Sequence, residues 1–164
     1  MEFRVEEMTA EDWPAVKAIY EEGIATGVGT FETAAPSWNE WNRARLPHSR
    51  LVARSGSVLG WAALSLVSGR SCYAGVAEVG IYVAKAARGH GVGRALLDAL
   101  IVSSEAHGIW TLQGVTITEN AASLALQQRC GFRVVGRRER IAKRDGAWRD
   151  TILTERRSRR IGVE

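Results

Sequence analysis

Cysteine is scarce in this chain of 164 residues, and the two cysteines, Cys72 and Cys130, lack the spacing of a metal site or a redox motif. One possible pair does not make a disulfide framework, so we expect both to be packing residues and expect no bound metal. No apolar run approaches the ~20 residues that span a bilayer, and the N-terminus lacks a signal-peptide stretch. These absences predict a cytoplasmic protein with no membrane partner.

Internal repeats, low-complexity segments and linkers are also missing, which predicts one domain over residues 1–164. The net charge of +4 is modest, but arginines cluster at 137–140 and 156–160. Such clusters can attract nucleic acid, although a solvated surface or a frayed basic tail, here from about residue 156, is the commoner explanation. We therefore expect no nucleic-acid partner.

Apolar spacing predicts hairpins early in the chain and alternating strands and helices later, which indicates an α/β fold with a mixed sheet and helices on both faces. The segment Gly23 to Pro36 has no steady apolar period and is predicted to be a loop. Strands are predicted near residues 3–5, 51–53, 58–66, 77–83, 110–117, 132–135 and 148–153. Helices are predicted after the caps Thr9, Ser37 and Asn120, and from Val92 to His107.

A glycine-rich turn, Arg88 to Gly93, lies between a predicted strand and a predicted amphipathic helix. Glycines let a backbone approach a ligand closely, and the N–H groups of a helix N-terminus suit a pyrophosphate. A Walker loop needs Lys and then Ser or Thr after its last glycine, where this chain has Arg94-Ala95, and the dinucleotide fingerprint needs G-x-G-x-x-G. Both motifs are disfavoured, which leaves a different phosphate site or a turn that merely starts a helix.

The turn matches R/Q-x-x-G-x-G/A through Arg88, Gly91 and Gly93, and the chain resembles the GNAT superfamily of N-acetyltransferases, especially its phosphinothricin and methionine sulfoximine acetyltransferases. The resemblance implies an acetyl-CoA-dependent enzyme, a mostly antiparallel twisted sheet, and a homodimer. Further matching stretches occur in the family's order: Thr30-Phe31-Glu32, Arg70-x-x-Tyr73, Glu78 to Val83, Asn120-x-x-Ser123, Gly131-Phe132 and Gly146 to Thr151.

The resemblance also implies where acetyl-CoA binds. The pantetheine arm would pair with the backbone of one strand and contact Asn120, which shares its motif with Ser123. A plain helix N-cap is the alternative role for Asn120, and the two roles are compatible. The strand residues are Ile81, Tyr82 and Val83, and the pyrophosphate would be held by Arg88, Gly89, His90, Gly91, Val92, Gly93 and Arg94.

Glu78 occupies the family's glutamate position. Because an ammonium must lose a proton before it attacks a thioester, we predict that Glu78 is the general base, with a surface or salt-bridged glutamate as the alternative. Gln127 stands where many relatives have a tyrosine or histidine as general acid, and glutamine cannot deliver a proton at neutral pH. A general-acid role at Gln127 is therefore left open, as is the effect of Gly80, where relatives often carry serine.

The predicted acceptor is the primary amine of a small amino-acid-like molecule of the phosphinothricin, methionine sulfoximine or methionine sulfone type. Arg70 could pair with its carboxylate or phosphinate, Tyr73 could add a hydroxyl, and Glu32 could receive its ammonium. A solvated loop is the alternative for Arg70 and Tyr73. Polyamines, aminoglycosides or a protein N-terminus are alternative acceptors, and a non-catalytic CoA-binding module is an alternative class.

Overall fold

The computed structural model describes residues 1–164 as seven strands in one twisted sheet with four α-helices around it. The strands lie in the order β1-β2-β3-β4-β5-β7-β6, and only β4 and β5 are parallel. The elements are β1 Arg4–Glu7, α1 Trp13–Ala25, α2 Trp38–Ala44, β2 Leu51–Ser55, β3 Ser57–Leu66, β4 Val76–Val83, α3 Val92–Ala106, β5 Thr111–Ile117, α4 Ala121–Arg129, β6 Arg133–Arg144 and β7 Ala147–Arg157. The predicted mixed, mostly antiparallel sheet is confirmed.

The two faces of the sheet carry different helices, because side chains alternate along each strand. Val79, Ile81 and Val83 of β4 pack into a core with α3 and α4. Tyr82, on the other face, packs into a second core with α1 and α2 that contains several tryptophans. The residues of β4 that do not face the α3 core, including Glu78, therefore face the α1 and α2 side of the sheet.

The helix caps predicted at Ser37 and Asn120 form in the structure. Ser37 Oγ accepts a hydrogen bond from the Glu40 N–H at 3.2 Å, and the Glu40 carboxylate accepts one from the Ser37 N–H at 2.8 Å, which caps α2. Asn120 Oδ1 accepts from the Ser123 N–H at 3.3 Å and caps α4. None of these helices is long and apolar enough to cross a membrane.

Four details differ from the sequence prediction. Gly23 is helical, because α1 runs to Ala25 and the loop begins only at residue 26. The last two strands are 12 and 11 residues long, since they form a hairpin that takes in the 137–140 arginine cluster. The predicted basic tail begins inside β7, which ends at Arg157. Cys130 is buried as expected, but Cys72 is exposed and does not pack.

The parallel strands β4 and β5 diverge after a short contact. They pair only from Val76 with Thr111 to Glu78 with Gln113. Beyond this point β5 continues beside β7. The edge of β4 that faced β5 has no strand beside it from Val79 to Val83. The sheet therefore opens into a wedge whose apex is at Glu78, and whose two sides carry unpaired backbone groups.

Candidate active site

The glycine turn is shaped by two residues with left-handed backbone, Gly89 at φ 79° and Gly91 at φ 82°. A side chain at either position would be strained even though nothing lies within 4 Å of the Cβ position. The turn leads directly into α3. The six successive N–H groups from Gly89 to Arg94 donate to no protein acceptor, so this segment is a cluster of free donors at the positive end of a helix dipole.

The side chains of the turn are held at its margin. Arg88 Nε donates to the Val83 carbonyl at 3.2 Å, and Arg94 pairs with Asp98 one helical turn later at 2.9 Å. His90 Nδ1 lies 3.0 Å from the Arg88 carbonyl oxygen. The structure thus brings together the predicted pyrophosphate residues, with the backbone at the centre and the two guanidinium groups beside it.

Glu78 lies at the apex of the wedge, on the last residue pair that joins β4 to β5. Its Oε1 accepts a hydrogen bond from Gln113 Nε2 at 3.0 Å, and the side chain is partly buried. No arginine or lysine is within ion-pair distance of Glu78. The predicted alternative of a salt-bridged glutamate is therefore wrong, and the carboxylate keeps lone pairs that can accept a proton.

Gln127 is buried between α4 and the far side of the wedge, where its amide is fully used within the protein. Nε2 donates to Thr116 Oγ1 at 2.8 Å and to Ser123 Oγ at 3.0 Å, while Oε1 accepts from Thr154 Oγ1 at 2.5 Å. Gly114 lies so close that a Cβ there would be 2.4 Å from Oε1. Gln127 holds α4 against β5 and β7 and has no hydrogen left to donate to a leaving sulfur.

Aromatic side chains stack on the face of β4 that packs against α1. The Tyr82 ring stacks with Tyr20 and Trp61, with both centroid distances 4.8 Å. Gly23 of α1 allows this, since a Cβ there would come within 2.5 Å of the Tyr82 ring. Burial raises the pKa of the Tyr82 phenol, and the nearby Tyr20 acts in the same direction, so the phenol stays protonated at neutral pH.

A cleft of about 240 Å³ lies between α1, α2 and the loop that follows α1. Glu32 and Arg45 place opposite charges in this cleft, and the remaining lining residues are Tyr20, Pro36, Glu40, Trp41 and Ala44. A larger depression of about 360 Å³ lies at the β2–β3 turn, near Phe3 and Arg54, and is not lined by any residue of the glycine turn or of β4. The smaller cleft lies next to β4, because its lining residues Tyr20 and Arg45 contact Tyr82 and Gly80 of that strand.

Arg70 and Tyr73 lie apart from this cleft, in the connection between β3 and β4. Both are exposed, and the guanidinium carbon of Arg70 lies 5.6 Å from the centre of the Tyr73 ring. The structure therefore brings Glu32 together with Arg45 and not with the predicted arginine. Sequence reasoning missed Arg45, because an arginine beside a polar helix looks like any surface arginine. An acceptor role for Arg70 and Tyr73 stays a prediction.

Arg144 is a second residue that the sequence did not reveal. Its buried guanidinium donates to the carbonyl of Ile24, at 2.6 Å, and to that of Thr30. These bonds join the end of β6 to the loop that carries Glu32, more than 100 residues earlier in the chain. The pairing depends on a tertiary contact between distant segments, for which the sequence has no local signal.

The model of the acetyltransferase (GNAT) family matches residues 6–132. The chain belongs to the GNAT family. This GNAT acetyltransferase is 38% identical over 157 residues to the phosphinothricin N-acetyltransferase of Alcaligenes faecalis. The alignment covers 89% of this chain and 78% of that protein. It is 31% identical over 151 residues to the L-methionine sulfoximine/L-methionine sulfone acetyltransferase of Pseudomonas aeruginosa, with 88% of each chain covered.

A solved structure of similar shape is that of a GNAT superfamily phosphinothricin acetyltransferase from Sinorhizobium meliloti in complex with acetyl-CoA. The two folds superpose with a TM-score of 0.87 at 29% identity, over 96% of this chain and 89% of that one. Together with the family match, these relatives identify this GNAT protein as an acetyl-CoA-dependent N-acetyltransferase.

Proposed function

We propose that this acetyltransferase acetylates the primary amine of a small amino-acid-like acceptor by direct attack within a ternary complex. The observation that carries the proposal is the position of Glu78 at the apex of the wedge, where one carboxylate oxygen is free and no arginine or lysine forms an ion pair with it. The relatives named for phosphinothricin and for methionine sulfoximine or methionine sulfone support an acceptor of that type.

The donor site in this proposal consists of the wedge and the glycine turn. The free N–H groups from Gly89 to Arg94 hold the pyrophosphate, and Arg88 and Arg94 add charged hydrogen bonds. The unpaired backbone of Ile81 to Val83 pairs with the pantetheine arm, and Asn120 donates its free amide group to it while its oxygen caps α4. The free backbone N–H groups of the turn and the open edge of β4 fit a long, flexible nucleotide thioester.

Acetyl-CoA, when bound, supplies a thioester carbonyl that the acceptor nitrogen attacks, so that a C–N bond forms and the C–S bond breaks. Glu78 accepts the proton that the ammonium must lose, directly or through water, and the backbone of β4 holds the reacting groups in place. Gln127 takes no part, because its amide is engaged by three hydroxyl groups. The sulfur departs as a thiolate without a protein acid.

We also propose a homodimer, formed at one edge of the sheet. β6, next to β7, is one of the two edge strands, and β1 is the other. Several apolar side chains are exposed on the hairpin of β6 and β7: Val134, Val135, Ile141 and Trp148. Light scattering on the intact protein should give twice the mass of one chain, and a monomer would contradict this proposal.

The acceptor assignment is tested by measuring CoA release with a panel of amines: amino acids, methionine sulfone, methionine sulfoximine, phosphinothricin, polyamines, aminoglycosides and short peptides. The proposal expects the highest kcat/KM among the amino-acid-like compounds. Turnover confined to polyamines, aminoglycosides or peptides would overturn the acceptor class. Tight binding of acetyl-CoA with no turnover of any amine would instead favour a non-catalytic module.

A further inference from the structure

Arg45 is partly buried although it forms no ion pair within the protein. It follows α2, and its guanidinium lies over β3 and β4, where Nη1 donates to Ser65 Oγ at 3.2 Å. Ser65 is the residue of β3 directly opposite Glu78 of β4. Because residues opposite each other in antiparallel strands have Cβ atoms about 5 Å apart, the guanidinium lies close to the predicted general base.

The donors around this guanidinium are unsatisfied. Arg45 Nε and the indole N–H groups of Trp41 and Trp61 are buried without a hydrogen-bond partner. The two tryptophans are only 1% and 0% exposed. The guanidinium carbon lies 5.8 Å from the Trp41 ring centre and 5.5 Å from that of Trp61. Buried donors are normally paired, so the protein supplies fewer acceptors than donors in this cluster around Arg45.

A neighbouring arginine shows what a purely structural role looks like here. Arg50 lies near the same Trp41 ring, at 5.2 Å, and donates to the carbonyls of Asn42, Leu46 and Arg45 and to the Asn42 side chain. Arg45 has one hydroxyl and no carboxylate within 4 Å. The structural contacts therefore account for Arg50, whereas the Arg45 guanidinium forms no ion pair with any carboxylate of the protein.

Gly80 makes room for this arrangement. A Cβ at position 80 would lie 2.9 Å from Arg45 Nη1, so any larger side chain on β4 must push the guanidinium away. Gly80 also lies on the same strand face as Glu78, one step further along the wedge. The glycine that differs from the serine of many relatives is thus coupled to the position of a cation in the cleft.

We propose that Arg45 binds the carboxylate of an α-amino-acid acceptor, and that Gly80 is the specificity-determining residue that admits the guanidinium. This inference rests on the proposed function, because it concerns the acceptor side of the same site. An α-amino acid carries its amine and its carboxylate on one carbon, so the carboxylate on Arg45 leaves the amine within reach of Glu78. The cleft of about 240 Å³ is below the usual ~300–1,000 Å³ of ligand pockets, which suits a small acceptor.

The test compares two acceptors that differ only in this charge, L-methionine sulfone and its carboxamide. Each variant is compared with the wild type on the same acceptor, so the different basicity of the two amines cancels. Because a hydrogen bond to a charged group is worth a factor of about 10 to 100, Arg45→Gln should raise KM for the sulfone by that factor and KM for the amide by less than about threefold. Arg45→Lys should lie between the wild type and Arg45→Gln.

Matched controls separate binding from folding. Arg43→Gln, on the exposed side of the same helix with one long bond to the Asn39 carbonyl, should leave both KM values unchanged. Gly80→Ser should raise KM for the sulfone selectively in the wild type but have no further effect in Arg45→Gln, since coupled residues are not additive. Equal losses with both acceptors in Arg45→Gln and Arg45→Lys would show that Arg45 only packs, and would overturn the inference.

Calorimetry with L-methionine sulfone and CoA distinguishes this inference from the proposed function. Binding that Arg45→Gln weakens, without turnover in the wild type, would support Arg45 and overturn the proposed acetylation of such acceptors. Turnover that does not depend on Arg45 would support the function and overturn the inference. Neither binding nor turnover would overturn both.

Discussion

Gln113 donates a 3.0 Å hydrogen bond to the carboxylate of Glu78 at the point where β4 and β5 separate. The bond fixes the side chain and leaves the second oxygen free. Two residues that are 35 positions apart in the sequence thereby orient the group predicted to accept the proton of the acceptor amine.

Glu78→Gln should lower kcat by about 10²–10⁴, the usual contribution of a positioned general base, because glutamine cannot accept the proton. Steady-state CoA release measures this, with acetyl-CoA affinity followed by calorimetry to show that the fold is retained. Glu21→Gln, on the exposed face of α1, is the matched control and should keep full activity. Activity of Glu78→Gln within about threefold of the wild type would contradict the role.

Gly91→Asp should weaken acetyl-CoA binding by at least about 100-fold. The left-handed backbone at φ 82° costs an L-residue about 1–2 kcal/mol, and a carboxylate beside the pyrophosphate adds repulsion. Gly56→Asp, at φ 73° in the β2–β3 turn, is an equally strained control far from the site and should bind normally. Unchanged calorimetric affinity in Gly91→Asp would mean that the donor site is elsewhere.

Gln127→Met should reduce stability by about 1–3 kcal/mol, because it removes the partner of buried hydroxyl groups on Thr116 and Thr154. Its kcat should change little, since the amide has no proton to give. Thermal unfolding and CoA release measure the two effects separately. Gln128→Met, on the exposed face of α4, should change neither. A large loss of kcat at normal stability would restore a chemical role for Gln127.

Arg144→Met should lower stability by about 1.5–3 kcal/mol and raise KM for the acceptor, because it frees the loop that carries Glu32 from its anchor at Ile24 and Thr30. Affinity for acetyl-CoA should not change, as the turn at Gly91 is not involved. Arg138→Met, exposed on the same strand, is the control. An unchanged acceptor KM would show that this anchor serves stability alone.

Stability should fall as the pH falls from neutral, in part because of His48. Burial lowers the pKa of His48, and the charge of His107, stacked on it at 4.2 Å, lowers it further. The unfolded chain then takes up a proton near the usual value of about 6.5, before the folded chain does, so stability is full above that pH and is lost below it.

The Tm difference between pH 7.5 and pH 5.5 measures this effect, and His48→Gln should make the difference smaller. His90→Gln, which removes the exposed histidine of the glycine turn, should leave the difference unchanged. An unaltered pH dependence in His48→Gln would show that the stacked pair does not contribute.

Local chemistry in the sequence was enough to predict most of the elements. The capping pair at Ser37 and Glu40, the cap at Asn120 and the alternation along β4 are short-range patterns, and each forms as expected. The prediction failed where tertiary packing overrides local propensity. Gly23 lies inside α1, where the absence of a side chain leaves room for the Tyr82 ring, and residues 136–144 form a strand because β7 pairs with them.

The sequence by itself determined the fold class and the position of the glycine turn, because backbone geometry, helix capping and strand alternation depend on neighbouring residues. Its resemblance to the GNAT family singled out Glu78 as the candidate base. Only the tertiary structure decided which arginine shares a cleft with Glu32. Arg45, Gly80 and Ser65 come together through the pairing of β3 with β4 and the packing of α2 above them, and contacts between distant segments leave no pattern along the chain.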